Sequence, residues 1–366
     1  MGIDAWPRVD VTTLNKHIKR LSDLTDRKRV FLNTLKKRGS VLMNQHGKKF
    51  DWRVMMELPD VDAYDDMEAV NIMRRNPYRE LELPYRALSA GESISKFEKL
   101  ANGSGPEALI KIISKITPNL TKAVTNALAS GLYNDADSTS NDSDRKIHGL
   151  ETIFSDISSV VTNSKAGDPS GTYAGINMAL GTYNNSSWTA ETSDGWPTGT
   201  GDEAYCALSP LLVDVTNTGW TANTKTWPNT WRQCIRYGQT YMEVLHNEQI
   251  DTIILAPTYW REALDSMDDN ERIIVTRNAE NMSLTKLGHE AINFEGTELT
   301  KEYGVPDKCG YGVIWDKLTL RSMQGQLIGI DKDRDITTKT DRFTVDFFGN
   351  LQIESPCYCF KLEEIS

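Results

Sequence analysis

Hydrophobic and polar positions alternate from Phe50 to Leu58, with Phe50, Trp52, Val54, Met56 and Leu58 on one side of the run. Successive strand side chains point to opposite faces, so this period of two predicts a strand with one apolar face. A second run, Leu81, Leu83, Tyr85 and Ala87, answers it. Together they predict a ribbon over roughly 40–88, with Asp60, Asp62, Asp65, Asp66 and Glu68 in its connection. That connection is longer than compact domains usually tolerate and is expected to protrude. A two-stranded ribbon is marginal alone and must lay its apolar face on another surface. We expect that surface to belong to a second copy of the chain.

Elsewhere the period is mostly helical. Thr12 and Thr13 can cap a helix whose apolar positions Leu14, Ile18, Leu21, Leu24, Phe31 and Leu35 recur until Gly39 stops it. From Pro106 to Tyr133 a broad stripe includes Ile112, Ile116, Leu120, Val124 and Leu128, and Pro118 is expected to kink or split that helix. Residues 148–229 are rich in Gly, Ser, Thr, Asn and Trp, which favours loops and short strands. Trp231 to His246 reads as a helix, Asp251 to Pro257 as a buried strand, and a further helix starts near Thr258. Strands are expected at Ala291–Glu298, Gly312–Leu320, Phe343–Phe348 and Leu351–Leu362, the last two joined by a turn at Gly349-Asn350. The mixture predicts an α+β fold.

Charge adds a feature that periodicity misses. The first fifty residues carry twelve Lys and Arg against four Asp, whereas the other 316 carry 29 basic against 47 acidic residues. The first helix holds most of the excess: Lys16, Lys19, Arg20, Arg27, Lys28, Arg29, Lys36, Lys37 and Arg38. This basic arm is a candidate for an acidic partner, against the plainer reading of a solvated charged face. At 366 residues and 39% hydrophobic, the chain can bury one large core or two moderate ones. No apolar run approaches the roughly twenty residues that cross a bilayer. The N-terminus lacks the apolar stretch of a signal peptide, and Trp6 stands where a myristoylation motif needs Ser or Thr. Neither secretion nor membrane attachment is expected. Five scattered cysteines, Cys206, Cys234, Cys309, Cys357 and Cys359, have no metal-ligand spacing and read as reduced thiols.

Catalytic signatures are missing from the sequence. It has no phosphate loop, dinucleotide fingerprint, His-Glu-x-x-His or nucleophile elbow. Asp135-x-Asp137 and Asp331-x-Asp333-x-Asp335 imitate calcium loops but lack the glycine and the closing glutamate. Neither an enzyme nor a cofactor is expected. Trp188, Trp196, Trp220 and Trp227, in polar loops, leave open a carbohydrate-binding virion or surface module, since Trp suits sugar stacking as well as protein interfaces. A hydrolase and a nucleic-acid-binding protein are weaker competitors.

Several local patterns occur in one order: the basic arm, the ribbon ending in a Leu88-Ser89-Ala90-Gly91-Glu92 turn, the helix from Pro106, and Gly149-Leu150-Glu151-Thr152-Ile153. Tyr173-Ala174-Gly175-Ile176, Ile253-Ile254-Leu255-Ala256, Ala291–Thr297, Tyr311–Trp315 with Leu318-Thr319-Leu320, and Gly349–Pro356 follow. In this layout the chain resembles the major capsid proteins of tailed bacteriophages, which share the Hong Kong 97-type fold. The resemblance implies an N-terminal arm at 1–39 and an extended loop at 40–88. It also implies a peripheral domain at 89–146 and 326–366 with a spine helix at 106–133, and an axial domain at 147–325. Hexamers and pentamers would tile an icosahedral head enclosing double-stranded DNA, held weakly. Phe50, Trp52, Val54, Met56, Leu58, Leu81, Leu83 and Tyr85 would be intersubunit contacts. A separate scaffolding protein, a portal and decoration proteins would be partners. The product would reside in the virion after assembly in the host bacterial cytoplasm. The family's Lys-to-Asn cross-link has candidate lysines in Lys48 and Lys49, which read more simply as surface residues.

Overall fold

The computed structural model describes residues 29–55, 63, 65, 78–102, 112–136, 145–154, 165–167, 169, 171–178, 188–190, 197–199, 208–267, 289–325 and 327–365. Helix α1 (Val30–Arg38) ends at Gly39, whose φ of 76° is left-handed and suits glycine. Strands β1 (Val41–Leu42), β2 (Lys49–Met55), β3 (Tyr78–Pro84) and β4 (Arg86–Ser95) follow, then helices α2 (Lys96–Asn102) and α3 (Ile112–Gly131). Helix α3 continues through Pro118 and is not split there. Ile116, Leu120, Val124 and Leu128 are buried along its stripe. At about 1.5–3 kcal/mol each, their burial outweighs the roughly 3 kcal/mol that an internal proline costs.

The next described elements are α4 (Glu151–Phe154), β5 (Ala166–Gly167), β6 (Thr172–Tyr173), β7 (Ile176–Asn177), β8 (Trp188–Ala190), β9 (Pro197–Gly199) and β10 (Leu211–Asp214). Helix α5 (Trp227–His246), β11 (Thr252–Leu255) and α6 (Pro257–Asp265) match the expected helix, buried strand and helix. Then come β12 (Ala291–Phe294), β13 (Thr297–Lys301), β14 (Cys309–Val313), β15 (Leu318–Ser322), β16 (Gly329–Asp335), β17 (Thr340–Ile353) and β18 (Phe360–Glu363).

Two large sheets organise most of these strands, while β2-β3, β6-β7 and β8-β9 form two-stranded pairs. A seven-stranded mixed sheet has the order β12-β13-β11-β14-β18-β10-β5. Its centre is apolar on both faces, and every residue of β10, β11 and β14 is buried. Phe360 of β18 packs where Gly312 of β14 and Gly238 of α5 leave room, and a Cβ on Gly312 would collide with its ring. The other sheet is built on β17, fourteen residues long. Its first half is flanked by β4 on one edge and β16 on the other, and its second half pairs with β15. β1 joins β15 in parallel.

Five expectations change at this level, and one is Leu351–Leu362, which is broken at Pro356–Tyr358 so that its ends enter different sheets. Ala291–Glu298 is not one strand but the start of a hairpin, because Glu295 and Gly296 both take positive φ between β12 and β13. Gly312–Leu320 is broken at Trp315–Lys317, and its halves enter different sheets. Leu88–Glu92 is no turn, since it lies inside β4. Gly349-Asn350 is not a turn either, and β17 runs straight through it. A Cβ at Gly349 would collide with the Arg321 carbonyl, so glycine serves close strand approach here. β15 pairs with β17, and β18 pairs with β10 and β14 in the seven-stranded sheet.

Candidate assembly surface

The two runs form the expected ribbon, with Phe50 opposite Leu83 and Trp52 opposite Leu81. Its apolar face is not open, however. Phe50, Trp52, Leu81 and Leu83 are all buried within their own chain. Trp52 donates from Nε1 to the Glu354 carbonyl at 2.8 Å, and its ring lies 6.2 Å from that of Tyr173. Phe50 stacks on Trp52 and packs against Tyr85, with the Arg321 guanidinium 5.1 Å above its ring. Val54 and Tyr85 are partly buried against the same core. Six of the eight expected intersubunit residues therefore cover the parent body. The period of two identified a buried face and could not say whose body buries it. Met56 and Leu58 lie outside the described residues.

The ribbon's other face is polar, with Lys49 pairing with Glu82 at 2.5 Å and Arg53 with Glu80 at 3.8 Å. Its described strands end at Met55 and Tyr78, both exposed. Between them, Ala63 and Asp65 are described and exposed.

A polar bracket anchors the ribbon base. Asn350, wholly buried, donates from Nδ2 to the Pro84 carbonyl at 2.9 Å and to His148 Nδ1 at 2.8 Å. Its Oδ1 accepts from the backbone N–H groups of His148 and Leu351, each at 3.0 Å. Both ends of the amide are thus satisfied, as a buried amide requires. Burial, and next the positive charge of Arg86, push His148 down from 6.5 to about 4. A histidine held below its unfolded value contributes stability above about 6.5 that is lost as pH falls through about 4. The urea midpoint should therefore fall between those pH values, and fall less in His148→Gln. Equal falls would remove His148 from the linkage.

The basic arm is also partly internal. Arg29 is buried, and its Nε and Nη2 donate to Asn126 Oδ1 at 3.0 and 2.5 Å. Arg38 lies 3.8 Å from Asp251 and 3.7 Å from Asp316. Neither therefore faces outward as expected, because α1 is docked onto the body and shares their charge with it. Lys36 and Lys37 are exposed. Lys16, Lys19, Arg20, Arg27 and Lys28 lie outside the described residues.

A second exposed apolar group was missed by periodicity. Phe97 and Leu100 on α2 are 67% and 71% exposed, and Ile336 in the β16–β17 turn is 84% exposed. Ser95 and Glu98 cap α2 reciprocally, the Glu98 N–H donating to Ser95 Oγ at 3.1 Å and the Ser95 N–H to Glu98 Oε2 at 3.0 Å. The Lys96 N–H donates to the Lys339 carbonyl, and Lys99 pairs with Asp341 at 3.0 Å. These ties hold α2 beside the turn. Ser-x-x-Glu was the sequence signal for this helix.

The carbohydrate reading gains nothing from this arrangement. Trp220 and Trp227 are buried, and their indole N–H groups donate to the Asp214 and Tyr259 carbonyls. Trp196 lies outside the described residues. Among those described, no group of three His, Cys, Asp or Glu side chains could hold a metal ion.

Together, the ribbon, the spine-like helix α3 and the two large sheets define an α+β fold of the Hong Kong 97 capsid type. The chain is similar over 96% of its length to 96% of a chain in the cyanophage A-1(L) capsid asymmetric unit, with TM-score 0.62 and 14% identity. It also matches the full length of a capsid chain of the native GTA particle, with TM-score 0.56 and 9% identity. A chain from the capsid of Myoviridae phage XM1 is similar over 96% of this chain and 97% of its own, with TM-score 0.54 and 11% identity. No protein-family model matches the sequence, and no curated protein matches it.

Proposed function

We propose that this chain is a structural shell protein that assembles as hexamers and pentamers into an icosahedral phage head around double-stranded DNA. The observation that carries this reading is the end-to-end fold likeness to capsid chains. In this reading residues 1–39 are the arm and 40–88 the extended loop. The β17-centred sheet with α3 is the peripheral domain, and the seven-stranded sheet is the axial domain. Adjacent subunits meet through the ribbon beyond Met55 and Tyr78 and through the exposed Phe97, Leu100 and Ile336, while the ribbon base orients the loop. One contact set repeated around closed axes is enough to build a shell. A scaffolding protein, a portal and decoration proteins are the expected partners, in a particle assembled in the host cytoplasm. The acidic body beyond residue 50 suits an inner wall that grips DNA weakly, since each phosphate contact adds affinity through counterion release.

The test is deletion of 56–77 with a short Gly-Ser closure. A folded, soluble body that forms no shells by negative-stain microscopy is expected, because the buried base of the ribbon is retained. Normal shells from the deletion would end the loop's role. Failure of the full-length chain to form particles, alone or with its neighbouring gene products, would end the shell reading.

A further inference from the structure

One partly buried arginine has no anion. Among the described residues four arginines, Arg29, Arg38, Arg86 and Arg232, each bury a side-chain nitrogen that makes no hydrogen bond. Three of them are held through another nitrogen, by Asn126, by Asp251 with Asp316, and by the Ser266 carbonyl. Arg86 is the exception, with its Nε buried and no side-chain hydrogen bond or ion pair among the described residues. It opens β4 opposite Gly349 of β17, two residues past the end of the ribbon at Pro84. His148 lies within its electrostatic reach, since burial, and then the Arg86 charge, push the imidazole down to about 4. His148 Nδ1 accepts from Asn350, so the neutral ring carries its proton on Nε2 and offers a second donor. Asn350 also accepts from the His148 N–H and holds the Pro84 carbonyl, which fixes the imidazole at the ribbon root. A desolvated guanidinium without an anion is costly, and its fork matches a carboxylate through two parallel hydrogen bonds.

We propose that Arg86, with His148 beside it, is the seat for a carboxylate supplied by a second copy of this chain. The inference rests on the shell reading above and adds to it a named polar contact at the ribbon root. Beyond residue 50 the chain carries 47 acidic against 29 basic residues, so a copy packed against the ribbon root brings carboxylates with it. A nucleic acid is a poorer occupant, because one arginine in an acidic body neutralises a single phosphate and gains little from counterion release. The carboxylate takes the guanidinium fork, so the assembly offsets a desolvation that the single chain leaves uncompensated.

The experiment compares the full chain with Arg86→Gln, Arg86→Glu and Arg86→Lys. In urea, unassembled Arg86→Gln should unfold at the wild-type midpoint or above it, because the single chain loses no partner. The concentration at which its shells form, read by light scattering and negative-stain microscopy, should rise about tenfold or more, as for a lost charge-assisted hydrogen bond. Arg86→Glu should assemble worse than Arg86→Gln, since it sets carboxylate against carboxylate. Arg86→Lys should fall between Arg86→Gln and the wild type, keeping the charge without the fork. A lowered midpoint in Arg86→Gln overturns the proposal, since Arg86 then has its partner within the chain. Unchanged shell formation in Arg86→Gln overturns it, and so does an Arg86→Glu that assembles no worse than Arg86→Gln. Shells that form normally but lose their DNA would assign the seat to phosphate and overturn it too. A wild-type chain that forms no particles under the same conditions ends the shell reading itself, and the second-copy occupant with it, before any variant is compared.

Discussion

Trp52→Ala is expected to lower the unfolding free energy by about 3–5 kcal/mol, a loss typical of a large buried aromatic. Trp52 is 9% exposed in the single chain, so its burial does not need a neighbour. Removing the indole opens a cavity between Phe50 and Tyr173 and takes the donor from the Glu354 carbonyl. Tyr173 cannot easily move to fill the space. Its hydroxyl donates to the Leu351 carbonyl and accepts from the Ile353 N–H, tying the ring to β17. Urea unfolding of the unassembled chain measures the loss. An unchanged midpoint would mean that the ribbon base is detached from its own body in solution and that Trp52 contacts only neighbours. A loss of the expected size, with shells forming only poorly, would show that this anchor sets the direction in which the loop leaves.

The second large effect is expected at Lys361, 1% exposed in β18 of the seven-stranded sheet. Its ammonium lies 2.5 Å from Glu151 and 2.6 Å from Glu363, and the Tyr311 hydroxyl donates to the other Glu151 oxygen. Burial works against the ammonium, yet Glu151 and Glu363 outweigh it and raise its pKa above the ordinary lysine value. The cluster joins α4 to β14 and β18, which are far apart in the chain. Lys361→Met should cost about 3–5 kcal/mol, because it leaves carboxylates with no counterion in a poorly solvated place. The double variant Lys361→Met with Glu151→Gln should recover part of that loss, since it removes a stranded charge as well as its partner. Guanidinium unfolding of the three proteins decides the matter. A double variant no better than the single one would mean that geometry, rather than stranded charge, dominates.

These two sites also mark what could be read from the sequence alone. The alternation at Phe50–Met55 located the ribbon and its buried face, because a period of two marks one buried face without any long-range information. The apolar stripes likewise located α3, α5 and β11, and Gly39 ended α1. Chain-order patterns were enough for the overall fold type. Local pattern could not reveal partners distant in sequence. Gly349-Asn350 looked like a turn, since both residues favour one. Only the sheet shows that the glycine admits the Arg321 carbonyl and that the amide brackets Pro84 and His148. Arg29 looked like surface charge until α1 was seen docked beside Asn126 and Glu302.

The sequence by itself thus determined which segments form strands and helices, where apolar faces lie and how charge is divided along the chain. Each of these follows from backbone periodicity and side-chain chemistry within a few residues. The tertiary structure alone decided which body covers each face. It also decided that the ribbon base is anchored at home, and that Glu302 and Lys361 are buried among partners up to 271 residues away. Burial and ionisation depend on solvent exclusion by groups brought together in space, and no local spacing encodes that.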